Sequence, residues 1–252
     1  GLILLVLKDT PSEVGLPPVE QVYGQHADLI APESAEPTQL DDTEFKAFLK
    51  RRVFQNPYIW LICAANFFVY VVRISFLNWA PTYLHESKGY SLTAAGGMTA
   101  SYEIAGLIGS VIAGIVTDRF FRSRRAPLCV LYMLGTAAAI LAFQRAPAGS
   151  VTAETFTLGA VGFLIYGPQF LVGVMTADIV SKRAAATAIG LTGFFGYLSG
   201  LLSGYGLGKI LESHGWDGGF AMLVGSSLAA AFCFALCWNA GPPDDERDAR
   251  PG

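Results

Sequence analysis

Residues 66–84 read NFFVYVVRISFLNWAPTYL, a run with the length and apolar character of a membrane-spanning helix except for one guanidinium, Arg73. An arginine near the centre of such a helix costs about 2.5–3.5 kcal/mol to insert, so it usually faces a bundle interior or aqueous cavity and marks a substrate pathway. At helical spacing Tyr70 lies three residues and Asn66 seven residues before it, which places all three on one face. A guanidinium beside a phenol and an amide can hold a tetrahedral oxyanion through several donors, the guanidinium bidentately. Two structural readings stand beside this one. Arg73 can pair with a carboxylate of another helix or reach to the membrane edge, and Tyr70 and Asn66 can serve as packing groups between helices.

The rest of the chain has the composition such a helix needs around it. Of 252 residues, 52% are hydrophobic and 15% charged, with 28 glycines and a mean hydropathy of +0.44. Long uncharged runs recur, and about 20 apolar residues suffice for one helical crossing, while the period-two alternation of a membrane barrel is absent. The expected fold class is therefore an all-α membrane protein with six helices between Tyr58 and Ala240. The four cysteines (Cys63, Cys129, Cys233, Cys237) fall inside spans and read as small apolar residues, and the three histidines (His26, His85, His214) fall in connecting segments. No nucleotide-binding loop, metal cluster or nucleophile constellation is present, so neither an enzyme nor a cofactor, a metal or a nucleic-acid partner is expected.

In chain order, residues 1–7 (GLILLVL) read as the last turns of a preceding membrane helix, which marks the chain as a fragment. Residues 8–57 carry five prolines by position 37 and nine acidic residues, a composition that buries no core and reads as a solvated linker, turning helical and basic over 43–52. Residues 58–240 form the bundle and 241–252 a polar tail. Spans are expected at about 58–80, 93–117, 126–143, 153–174, 184–210 and 220–240. Pro81 marks the far end of the first, Pro168 kinks the fourth, and ESHGWDGG (212–219) is a loop before the last. Close-packing seams are expected at Gly106, Ser110 and Gly114 on the second span and at glycines 196, 200, 204 and 208 on the fifth.

Within this bundle Glu103 reads as a counter-charge, to Arg73 or to a basic residue of the missing part, in preference to a proton site or a direct ligand contact, since an unpaired membrane carboxylate is costly. Tyr166 and Gln169, three apart beside Pro168, are candidates to line a cavity or to fill a packing gap, and Tyr197 is a weaker candidate of the same kind. Thirteen lysines and arginines fall in the linker, the loops after the second and fourth spans and the tail, against Lys88, Arg145 and Lys209 on the other side. That asymmetry puts linker and tail in the cytoplasm, which an even number of spans allows.

Two sets of words resemble known families. Gly114-x-x-x-Asp118-Arg119, continuing to Arg124 and Arg125, resembles the loop signature of the major facilitator superfamily, with Phe121 or Ser123 where a glycine is usual. The glycine permits close helix contact, and the carboxylate and arginines can form a cytoplasmic latch or gate. More specifically, DTPSEVGLPPVE (9–20), NPYIW, VYVVR, NWAPTYL, YEIAG, GFLIYGPQ, GLTGFFGYLSG and GWDGGF resemble, in order and spacing, the organophosphate:phosphate antiporters.

That resemblance implies the six-helix C-terminal half of a twelve-helix transporter of the bacterial inner membrane, lacking its N-terminal six-helix half. The expected activity is exchange of a phosphorylated organic anion, such as glycerol 3-phosphate or a hexose phosphate, for inorganic phosphate by alternating access. Arg73 then matches the family's C-terminal-half phosphate-binding arginine, Tyr70 the tyrosine one turn before it, Tyr166 and Tyr197 cavity tyrosines, and Glu103 the membrane carboxylate. Glycerol-phosphate members often carry an acid where this chain has Asn78, so their charge network is not fully reproduced. A membrane sensor of the same ligand, signalling to a cytoplasmic partner, and a facilitator for another organic anion are the alternatives.

Overall fold

The computed structural model of the protein describes residues 42–121, 124–180, 182–238 and 240. The expected helix end at 1–7, nearly all of the linker before 42, the tail at 241–252 and parts of two basic loops lie outside the described residues. Every regular element among the described residues is helical. Helix α1 (Asp42–Leu49) ends in a π-helical turn, Lys50–Phe54. The bundle then follows as α2 (Pro57–Glu86), α3 (Leu92–Phe120), α4 (Arg125–Arg145), α5 (Val151–Ile179), α6 (Lys182–Leu198), a π-helical turn (Leu202–Gly206) and α7 (Leu207–Leu236).

Sequence chemistry sets the starts of these helices. Asn56 accepts the Tyr58 N–H at 3.0 Å with Pro57 in the first turn, where its missing N–H leaves no bond unmade. Ser91 does the same for Ala94 at 3.2 Å at the head of α3.

The structure departs from the expected spans in three places. α2 runs through Pro81 to Glu86, so Pro81 does not mark its end, and α5, which spans Pro168 as the expected fourth span does, runs on past 174 to Ile179. Residues 212–219 form no extended loop. Helical structure continues to His214 and resumes at Trp216, and the reversal is confined to Gly215, with φ 64° and ψ −166°. A Cβ on Gly219 would stand 2.9 Å from Leu211 and 3.3 Å from Leu207, so the arm after Gly215 lies back along the arm before it. The 53 residues from Ala184 to Leu236 thus make two crossings, and with α2 to α5 the bundle has six among the described residues.

Packing departs from the expected seams as well. α3 lies along α5 with backbones almost touching, because a Cβ on Gly109 would meet the Phe163 carbonyl at 2.0 Å and one on Gly162 the Tyr102 carbonyl at 2.1 Å. The buried stripe of α3 is Gly106, Gly109, Ala113 and Thr117, whereas Ser110 and Gly114 are turned partly outward. On the fifth span Gly196 packs on Asn66 and Tyr70 and Gly208 on Trp79, while Gly200 and Gly204 face open space. A spacing of four identifies a stripe of small residues but not the neighbour it meets.

Candidate functional site

The site is built where α2, α3 and α5 meet at mid-bundle. Arg73 Nη2 donates to the Tyr166 hydroxyl at 3.1 Å, and that hydroxyl donates to Glu103 Oε2 at 2.5 Å. Glu103 therefore faces Arg73 through a phenol and not in a direct ion pair. The guanidinium carbon also lies 5.0 Å from the Tyr166 ring centre and 5.8 Å from that of Tyr70, within cation–π range of both. Gly106 makes room for the Tyr166 ring, since a Cβ there would lie 2.5 Å from it. Tyr102, fully buried between these helices, donates its hydroxyl to the Arg73 carbonyl at 3.3 Å and sets its ring edge-on to Tyr166 at 5.8 Å.

The arrangement leaves Arg73 partly used. Its Nε is buried and has no partner among the described residues. Phenols surround it in place of carboxylates, so much of its donor capacity and positive charge remains available to an anion.

The remaining sequence candidates divide. Tyr197, 75% exposed on α6, stacks edge-on against Tyr70 at 5.7 Å and so extends the aromatic wall from Arg73 outward. Asn66 is 97% buried and turned to α6, its Nδ2 donating to the Thr192 carbonyl at 2.8 Å through the gap left by Gly196. Among the described residues its Oδ1 has no donor, and neither has the Oε1 of Gln169, which lies one turn along α5 from Tyr166.

At the C-terminal ends of α3 and α5 the arginine loop forms a second cluster. Arg125 Nε donates to Asp178 Oδ2 at 2.6 Å, and its Nη1 lies 3.6 Å from Asp118. This joins the end of α3, the start of α4 and the end of α5. A Cβ on Gly114 would stand 3.6 Å from the Phe170 ring, and Arg119 and Arg124 are exposed with no ion pair among the described residues. Asp178 escapes sequence reading; its signal is an acid at a helix end beside the basic run 181–183.

Glu154 escapes it too. This carboxylate in the first turn of α5 is 0% exposed, and it pairs with Lys88, 3.6 Å away in the turn after α2. Lys88 also donates to the Ala146 carbonyl at 2.6 Å just past α4 and lies 5.7 Å over the Tyr83 ring. A cation at a helix C-terminus and an anion at a helix N-terminus each suit the local dipole. The neighbouring Glu154 carboxylate raises the Tyr90 phenol above its ordinary pKa, with burial adding in the same direction.

Among known families, the model of the Major Facilitator Superfamily matches residues 1–204. The glycerol-3-phosphate transporter of Bacillus subtilis is 42% identical over 241 residues, covering 95% of this chain and 53% of its own length. The probable hexose phosphate transport protein of Chlamydia pneumoniae is 35% identical over 247 residues, covering 95% and 54%. The membrane sensor protein UhpC of Salmonella typhimurium is 32% identical over 243 residues, covering 96% and 54%. The chain spans about half the length of these relatives.

Proposed function

Because the chain belongs to the major facilitator superfamily, we propose that it is the C-terminal half-site of an antiporter that exchanges a phosphorylated organic anion for inorganic phosphate. The observation that carries this reading is Arg73, a mid-membrane guanidinium held by phenols, with its Nε unpartnered and Glu103 kept one hydroxyl away. Such a group binds a phosphoryl oxygen pair bidentately. Tyr70, Tyr166 and Tyr197 line its approach, and Asn66 and Gln169 lie on the same side of the bundle as further polar contacts. Two of the relatives are named as a glycerol-3-phosphate transporter and a probable hexose phosphate transport protein, which supports this class of anion.

The clamp is completed, in this proposal, by a basic group from a second six-helix half. The apolar outer faces of α3 (Ile104, Leu107, Ile108, Val111) and of α6 with its π turn (Phe194, Leu201, Tyr205) are surfaces for that half and for lipid. Residues 8–57 are the cytoplasmic linker between the halves and 241–252 a cytoplasmic tail, in the inner membrane of a bacterium, as the sorting of Lys and Arg requires. Asp118, Arg125 and Asp178, with Gly114, Arg119 and Arg124 around them, brace the cytoplasmic gate. An empty, strongly positive site reorients reluctantly, and an anion of either kind lets it close, which makes the process an exchange.

The full-length protein in liposomes tests this. Labelled phosphate should enter only when phosphate, glycerol 3-phosphate or glucose 6-phosphate is trapped inside, and entry into empty vesicles at the same rate would refute antiport. The similarity to UhpC favours a second reading, a sensor with the same half-site. Tight binding of a sugar phosphate without any flux would identify it.

A further inference from the structure

Arg73, Tyr166 and Glu103 form a chain in which the shared protons can be placed. A guanidinium has no lone pair, so Arg73 Nη2 is the donor to the Tyr166 hydroxyl, at 3.1 Å. The hydroxyl has a single proton of its own, and that proton goes to Glu103 Oε2 at 2.5 Å. Oε2 is therefore an acceptor, and the hydroxyl has no second proton for a ligand.

The groups around Glu103 leave this chain as its link to positive charge. From α5 it meets Tyr166, and from α2 it meets Arg73 through that phenol, with the Tyr70 ring centre 5.8 Å from the guanidinium carbon. Its own helix adds Tyr102, whose hydroxyl is turned to the Arg73 carbonyl. α4, which also touches α3, carries charge only at its ends, Arg125 and Arg145, and its Tyr132 lies against Gly167 and Phe163. Among the described residues Glu103 makes no direct ion pair.

An anion at Arg73 upsets this arrangement in two ways. It offsets the guanidinium charge that Glu103 balances, and an oxyanion on Nη2 lies beside a hydroxyl whose proton is already committed to Glu103. Two anions flanking one phenol cannot both take its proton, and like charges sharing one site do not both stay ionised. A proton on Glu103 removes both conflicts, because the carboxyl then donates to the Tyr166 oxygen and frees the phenolic proton for the anion.

We propose that Glu103 is a proton-binding site loaded by anion binding: its carboxylate takes one proton from water as the anion settles on Arg73 and returns it when the anion leaves. In the empty site the hydrogen bonds run from Arg73 to Tyr166 and from Tyr166 to Glu103. In the loaded site Glu103 donates to Tyr166 and Tyr166 donates to the anion, so the same groups serve with the direction reversed. Glu103 is thus a counter-charge to Arg73 only while the site is empty. Each anion then moves accompanied by a proton, and in an exchange of one anion for another the two protons cancel, so the step is read in binding and not in net flux. The inference rests on the reading of Arg73 as an anion site given above and is independent of the anion's organic part.

The test is calorimetric titration of inorganic phosphate into the full-length protein in detergent, near neutral pH, in two buffers that differ in heat of ionisation. The difference in heat counts the protons taken up per phosphate bound. The unmutated protein should take up about one proton more per phosphate than Glu103→Gln, because any proton that phosphate itself exchanges is common to both. Glutamine donates to Tyr166 as the protonated carboxyl would, so the variant should still bind phosphate. Equal proton uptake in the two proteins would place the proton on the anion and overturn the inference. If the variant does not fold or bind, the infrared difference spectrum of the unmutated protein on adding phosphate decides. A new protonated-carboxyl band that shifts in heavy water supports Glu103 loading, and the absence of such a band overturns it. Failure of the unmutated protein to bind phosphate or glucose 6-phosphate is a separate result that overturns the reading of Arg73 itself, and this inference with it.

Discussion

Tyr166 stands between Arg73 and Glu103, accepting from the one at 3.1 Å and donating to the other at 2.5 Å. Its hydroxyl is the only hydrogen-bonded link between the two charges among the described residues. A hydrogen bond to a charged group contributes about 1.5–3 kcal/mol, and here one phenol supplies two. Tyr166→Phe should therefore leave both charges in place but uncoupled, weakening phosphate affinity by about tenfold or more. Affinity within twofold of the unmutated protein, measured by phosphate binding, would show that the relay does not serve the site.

Arg73 separates charge from geometry. Lysine preserves the charge but has no planar fork, and it cannot hold two oxygens while also facing Tyr166 as the guanidinium does. Arg73→Ala should abolish phosphate exchange in liposomes, and Arg73→Lys should keep roughly a tenth of it or less. Full activity in the lysine variant would mean that a point charge suffices and that bidentate binding is not used.

The parts of this site visible in the sequence are those carried by local spacing. Asn66, Tyr70 and Arg73 share a helix, so their common side follows from 3.6 residues per turn. Tyr166 and Glu103 are 93 and 30 residues from Arg73, and nothing local says that the phenol inserts between the charges. The same holds for Lys88, which the sequence shows only as a loop charge, and for Glu154, which it does not single out. The turn at 212–219 has loop composition, yet Gly215 alone supplies the positive φ that the reversal needs and the flanking residues stay helical. The seam between α3 and α5 is misread by one position, Ser110 for Gly109. A stripe of small residues fixes a face only to within the rotation of the helix, and the carbonyl of Phe163 decides which member is buried.

That carbonyl gives a sharp contrast between glycines. A side chain on Gly109 or Gly162 meets backbone at 2.0 and 2.1 Å, which no rotamer change relieves, so α3 and α5 would have to separate. Gly109→Ala and Gly162→Ala should each lose most of the folded, monodisperse protein on size exclusion. Gly114→Ala faces only the Phe170 ring at 3.6 Å and should fold as well as the unmutated protein. Equal behaviour of all three would contradict the close backbone approach.

The Lys88–Glu154 pair joins the turn after α2 to the start of α5, with Lys88 also holding the carbonyl of Ala146 beyond α4. Both side chains are buried, Glu154 wholly and Lys88 to within 9%. Removing one partner strands a charge in a medium that cannot solvate it, and such losses cost about 3–5 kcal/mol. Glu154→Gln and Lys88→Met should each lower the thermal midpoint in detergent strongly. The double variant should be less destabilised than the sum of the two, because the second change removes the charge that the first left unpaired. Strict additivity would mean that the two do not stabilise one another, and that Lys88 acts through the Ala146 carbonyl alone.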